Sequence, residues 1–143
     1  MTRVCIAATT FPRWAGDGEG AFVWGLAQAL VRQGAGVRVV ALHSPGASTH
    51  EVIEGVEVLR PRYWWPEQQE SLRKGGGGLP VTLRTSNLAR IQLAPFFGIF
   101  GKALADAAQT CDLIHAQWIL AGAAALGTAR LHRRPVIVTV QGS

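Results

Sequence analysis

Apolar positions follow two alternating rhythms along the chain. Residues 3–8 (RVCIAA) form a short apolar run without polar alternation, as in a strand covered on both faces. Over 20–33, Val23, Leu26, Ala27, Leu30 and Val31 recur at the spacing of one helix face, and Gly34 and Gly36 end that helix. Residues 37–42 (VRVVAL) predict a second strand. The opening therefore reads as a right-handed βαβ unit with a glycine-bearing loop at 9–19. Residues 56–59 (VEVL) predict a third strand, and the turn-like Ile53-Glu54-Gly55 before it suggests a strand pair.

The rhythm breaks over 60–86, an irregular stretch with Tyr63, Trp64, Trp65, Pro66 and glycines at 75–78. A long insert of this kind is usually functional or mobile. Residues 88–108 return to helical period through Leu93, Phe97, Phe100 and Leu104, with a kink or a start at Pro95. A fourth strand is predicted at 112–116 (DLIHA), an Ala-rich helix at 122–131 and a fifth strand at 135–140 (PVIVTV). Strands alternating with helices predict an α/β, Rossmann-like, doubly wound and mostly parallel sheet in one domain. The last strand runs straight into Gln141-Gly142-Ser143, where a ligand-facing loop would begin. Residues 1–143 are therefore expected to be a domain truncated at its C-terminal end.

Composition narrows the classes. Hydrophobic residues make up 48% and charged residues 16%, which excludes a disordered tail. The 14 Lys+Arg against 9 Asp+Glu give +5, but the basic residues are scattered, without a nucleic-acid-type block or zinc signature. No nucleic-acid partner is expected. No apolar run in the sequence approaches the ~20 residues of a spanning helix. Cys5 and Cys111 are too few and too far apart in sequence for a disulfide framework or metal cluster. They read as buried free thiols, in keeping with a reducing cytoplasm.

Three places could carry chemistry. The first is the loop after strand one, with Gly16, Gly18 and Gly20. Its spacing is not GxGxxG, and no acidic residue closes the second strand, so a dinucleotide site is not indicated. Glycines at a helix N-terminus do let a backbone approach a phosphate. Asp17 and Glu19 would oppose an anion unless they cap the helix, and Asp17 reads as such a cap. The second is His115, read at the carboxyl end of a parallel strand and so facing the ligand crevice, or else as a satisfied core histidine. His43 is a weaker version, and His50 and His132 read as solvated. No His/Cys/Asp/Glu set has metal-ligand spacing, and no Ser–His–acid arrangement is legible. The third is the aromatic and basic run Arg60-Pro61-Arg62-Tyr63-Trp64-Trp65-Pro66, followed by Arg73 and Lys74. It suits a sugar face or a membrane interface, or packs over the sheet edge. Residues 91–101, flanked by Arg90 and Lys102, suit either a membrane interface or a core-packing helix.

Together these stretches resemble the N-terminal domain of family 4 glycosyltransferases, the GT-B fold enzymes. TTFPRWAGDGEGAFVWGLAQALVRQGAGVRVVAL resembles the family's strand, glycine loop, helix and strand; GVEVLRPRYWWPEQQESLRKGGGGLP is similar to one subgroup's middle segment. DLIHAQW resembles "D-hydrophobic-HAHW", and PVIVTVQGS resembles "P-hydrophobic-VT-HGSD". The resemblance spans essentially the whole chain, in order.

It implies a hexosyltransferase that moves a sugar from a nucleoside diphosphate sugar to an acceptor with retention, without cofactor or required metal. The N-terminal domain would hold the acceptor, and a C-terminal donor-binding domain, absent here, the nucleotide; this chain alone is then expected to be inactive. By resemblance, Gly16, Asp17 and Gly18 approach the donor diphosphate and His115 lies near the transferred sugar as the catalytic-site residue. Trp118, Gln117, Gln141, Tyr63 and Trp64 fall on the acceptor side. Gln117 and Gln141 stand where the family often has histidine, and a glutamine cannot carry a proton or a positive charge. The expected location is cytoplasmic, with peripheral contact at the inner membrane face as an option. The competing reading is a non-catalytic Rossmann-like module, an orphan half retaining sugar or membrane-surface affinity. A receiver domain would need an acidic cluster at the strand ends, which the sequence lacks.

Overall fold

The computed structural model describes residues 1–14, 16–72 and 78–140. In chain order the elements are β1 (Arg3–Ala8), α1 (Ala21–Arg32), β2 (Gly36–Ala41), β3 (His50–Ile53), β4 (Val56–Leu59), a single 3₁₀ turn (Glu67–Gln69), α2 (Gly78–Thr85), α3 (Asn87–Ala108), β5 (Leu113–Gln117), α4 (Trp118–Gly127), α5 (Ala129–His132) and β6 (Val136–Thr139). One six-stranded sheet has the order β3-β4-β2-β1-β5-β6. Every pairing is parallel except β3 with β4, which are joined as an antiparallel hairpin. The α/β, mostly parallel architecture expected from the alternating rhythm is the one observed.

Side-chain alternation sorts the strands onto two cores. On one face Val4, Ile6, Ala8, Val37, Val39, Val56 and Val58 pack under α1, which contributes Val23 and Ala27. On the other, Cys5, Ala7, Val40, Ile114 and Ala116 pack under α3 and α4, which bring Phe96, Phe100, Leu104, Ala121 and Ala125. The central strands are apolar at successive positions because both faces are covered. Each buried Phe or Leu of α3 removes enough apolar surface from water to stabilise the fold by about 1.5–3 kcal/mol.

The irregular stretch holds more order than its sequence suggests, since the 3₁₀ turn and α2 both form within it. Arg73, Lys74 and glycines 75–77 lie outside the described residues. Helix α3 begins at Asn87, where the Ser86 hydroxyl accepts a hydrogen bond from the Ala89 amide (3.2 Å), and it runs through Pro95 rather than starting there. It is long and apolar enough, by length and composition only, to cross a membrane. That corrects the expectation of no such segment. Its Phe96, Phe100 and Leu104 are buried on the sheet, while Ile91 and Ile99 on the outer side are exposed. Helix α4 begins at Trp118, four residues earlier than expected, and breaks at Thr128 before α5.

His132 is not solvated. It is 3% exposed, its Nε2 faces the Ala125 carbonyl (2.8 Å), and its Nδ1 accepts from the Arg134 amide (2.9 Å). The acceptor role of Nδ1 places the ring proton on Nε2, so this histidine ties α4 to the approach of β6.

Candidate functional site

The chain builds outward from β1 through β2 to the β3–β4 hairpin, then returns to place β5 and β6 on the other side of β1. Strand order therefore reverses between β1 and β5. The connection leaving β1 goes to α1 on one face, and the connection leaving β5 enters α4 on the other. In an open α/β sheet this switch point leaves a crevice at the carboxyl ends of the strands, where ligands bind. Ala8 pairs with Gln117 at the last rung, so the glycine loop and Trp118 leave the sheet side by side.

Gly20 sets the path of that loop. It caps α1 with φ 74, and a Cβ there would stand 2.6 Å from the Phe11 α-carbon, so only glycine fits. Gly16 (φ 87) and Gly18 are exposed, with nothing within 4 Å of an added Cβ, which leaves their backbone open.

Asp17 does not cap α1, contrary to expectation. Its carboxylate accepts from the Arg13 amide (3.0 Å), the Arg13 Nε (2.8 Å) and the Glu19 amide (3.2 Å), closing the loop on itself. The Arg13 guanidinium, with the two amides, holds the Asp17 carboxyl well below the usual carboxylate range. Arg13 in turn lies over the Trp14 ring, 4.7 Å from its centroid. A groove of about 390 Å³ runs from Gly16 and Asp17 past Trp14 and Trp24 to Glu54.

Arg60 belongs to this loop's support rather than to an exposed basic surface. It is fully buried; Nη2 donates to the Pro12 carbonyl (2.7 Å), and Nη1 donates to the Ser48 carbonyl (3.1 Å) and Glu51 (3.1 Å). The end of β4 thus holds the glycine loop in place.

On the other side of the crevice, Trp118 has φ 66, a left-handed conformation that costs a non-glycine residue roughly 1–2 kcal/mol. The turn from β5 into α4 is that sharp. Gln117 is fully buried, and its Nε2 donates to His115 Nε2 (3.1 Å).

His115 is the third of five residues in β5, two short of the strand end. The expectation that it projects from the carboxyl end is corrected: it lies on the α1-side face of the sheet, beside Thr139 Oγ1 (2.7 Å from Nε2). Desolvation by burial pushes its pKa down, which favours the neutral ring. Nε2 accepts from Gln117, so the ring proton sits on Nδ1.

The aromatic run divides between its two readings. Tyr63 is 3% exposed, meets Phe96 edge-on (5.7 Å), and its hydroxyl accepts from the Leu72 amide (3.1 Å). Trp64 packs half-buried against the same core, and Trp65 is 87% exposed. Gln141 lies outside the described residues.

A polar cluster went unread in the sequence. His43 is fully buried at the end of β2, and its Nδ1 bonds to Glu70 (2.5 Å). Its Nε2 bonds to the Ala47 carbonyl (3.0 Å) and lies 3.1 Å from Glu67, which also accepts from Arg62. Ligand atoms of His43, Glu67 and Glu70 fall within 4.8 Å of one another, a grouping their sequence spacing does not signal. These groups already bond one another and neighbouring backbone, so the cluster pins the 60–72 segment onto the sheet.

Comparison with known proteins follows the same outline. Residues 17–143 match the family described as glycosyl transferase 4-like domain. A structure of sucrose-phosphate synthase from Thermosynechococcus elongatus superposes with a TM-score of 0.65 at 14% identity, covering 99% of this chain and 33% of that one. A second structure of sucrose-phosphate synthase from that organism gives 0.64 at 15% identity, covering 99% of this chain and 64% of that one. At such identity the likeness concerns the fold. The chain spans about a third of the first of these structures. No curated protein sequence matches.

Proposed function

The chain belongs to the glycosyl transferase 4-like domain family, and we propose that it is the acceptor-side lobe of a retaining glycosyltransferase using a nucleoside diphosphate sugar. The observation that carries this reading is the pair of turns that leave β1 and β5 side by side: the open backbone at Gly16 and Gly18, and the strained entry into α4 at Trp118.

The chemistry follows from what each group can supply. As the sugar leaves, negative charge grows on the departing diphosphate. Backbone N–H groups of the glycine loop and the positive end of α1 are preorganised to meet it. The Asp17 charge is already matched by Arg13, so it does not repel an anion there. Trp118 offers an aromatic wall to the acceptor. Neutral His115 has its proton on Nδ1 and can donate a hydrogen bond to a sugar hydroxyl. The nucleotide is gripped by a donor lobe, as the one-third coverage of sucrose-phosphate synthase suggests. This lobe alone then binds weakly and turns nothing over.

Titration of the isotope-labelled chain with a nucleoside diphosphate and its sugar conjugates tests the reading. Backbone amide shifts should concentrate at Gly16, Gly18 and Trp118, and sugar transfer by this chain alone should stay at background. Shifts confined to another surface, or transfer by the chain alone, would overturn it.

A further inference from the structure

The two cysteines lie at opposite ends of the sequence, and the fold brings them together. Cys5 is the third residue of β1 and is fully buried; Cys111 sits in the turn that enters β5, 6% exposed. Both are free thiols of the same core cluster; Cys5 pairs with Ile114, three residues beyond Cys111, and the Cys111 Sγ donates to the Ala107 carbonyl (3.5 Å). Cys111 also lines an opening of about 310 Å³ with Arg3, Arg38 and Thr110. Arg3 and Gly36 begin their strands, so this opening lies at the amino end of the sheet, away from the crevice at Gly16 and Trp118.

The two sulfurs are not equivalent. The neighbouring Cys5 thiol, then the charges of Arg38 and Arg3, bring the Cys111 thiol down to about 7 against the opposing effects of burial and Asp112. The neighbouring Cys111, with burial, pushes the Cys5 thiol up. Arg38 is held in position by donating to the Ala107 carbonyl (2.9 Å) and Thr110 Oγ1 (2.7 Å), both in the segment that leads to Cys111.

We propose that Cys111 and Cys5 form a peroxide-reactive dithiol, with Cys111 as the attacking thiolate at the Arg3–Arg38 opening and Cys5 as the resolving thiol. The Cys111 sulfur attacks one oxygen of hydrogen peroxide and the O–O bond breaks. The departing hydroxide takes a proton and leaves as water, and Cys111 becomes a sulfenic acid. The Cys5 sulfur then attacks the Cys111 sulfur. The S–S bond forms, the S–O bond breaks, and the Cys5 proton leaves with that hydroxide as a second water. Two electrons pass from the thiol pair to the peroxide. This site is independent of the glycosyl-transfer reading.

The test is peroxide treatment of the whole chain, followed by intact mass and a non-reducing peptide map. The expected product is a monomer lighter by two hydrogens, with Cys5 and Cys111 peptides linked. Cys111→Ser should slow peroxide consumption at least about tenfold. Cys5→Ser, checked for native circular dichroism, should accumulate a sulfenic acid on Cys111 that dimedone traps. A wild-type chain that passes directly to sulfinic acid, links only between molecules or does not react would overturn the proposal. So would Cys5 oxidising at the wild-type rate in Cys111→Ser.

Discussion

The α-carbon of Gly20 rests against the backbone of Phe11, and a methyl group there would stand 2.6 Å from the Phe11 Cα. Relief would require moving either the start of α1 or the whole loop after β1. Gly20→Ala adds left-handed strain of roughly 1–2 kcal/mol to overpacking of roughly 1–3 kcal/mol. Urea denaturation should show a loss of about 3 kcal/mol, with Gly18→Ala, which meets no neighbour within 4 Å, staying within about 0.5 kcal/mol as the control.

Arg60 is buried among carbonyls and Glu51. Truncation leaves those acceptors without their donor, and removing one partner of a buried pair costs about 3–5 kcal/mol. Arg60→Ala should unfold at correspondingly lower denaturant. Arg60→Lys should recover only part, because one ammonium cannot span Pro12, Ser48 and Glu51 as the guanidinium fork does. Full recovery by lysine would mean that only the charge matters.

The acid limb of stability reads the glycine loop. The folded-state pKa of Asp17 lies below its unfolded value, so its contribution is complete above the ordinary carboxylate range and is lost as pH falls through and below it. Asp17→Asn should lower stability at neutral pH and flatten the decline between about pH 4 and pH 2. An unchanged slope in that window would remove the Arg13–Asp17 pair from the account.

Gly122 of α4 packs on β6, where an added Cβ would lie 2.9 Å from a Val138 methyl. Gly122→Ala is expected to cost about 1–3 kcal/mol from overpacking. The obstruction is the end of one side chain, so Val138→Ala in the same chain should restore most of the loss. A double-mutant cycle measures this coupling directly, and additive losses would contradict it.

Much of the fold could be read from local pattern. The unbroken apolar run of β1 and the stripe Val23–Leu26–Ala27–Leu30–Val31 each arise from burial repeated along one element, so their boundaries fall within a residue or two. His115 lies deeper in its strand than the run DLIHA implies, because β5 extends through Gln117. What stayed hidden depends on partners distant in sequence. Arg60 and His132 look like surface residues until Pro12, Glu51 and Ala125 surround them. His43 meets Glu70 only after the 60–72 segment folds back, and Cys5 and Cys111 enter one core cluster only through the pairing of β1 with β5. The aromatic run was ambiguous for a physical reason: consecutive residues Tyr63, Trp64 and Trp65 descend from core to solvent, and residue type alone does not order them.

Among the described residues, the sheet's two borders differ in how they face water. At one, β3 is short, turned antiparallel and carries His50 and Glu51, features that discourage further pairing. At the other, β6 shows Ile137, Val138 and, just past its end, Val140 to solvent. Stickiness is therefore lopsided. Crowding at high concentration should recruit neighbours along the β6 margin first, and a lysine at position 137 is the simplest way to keep preparations monodisperse.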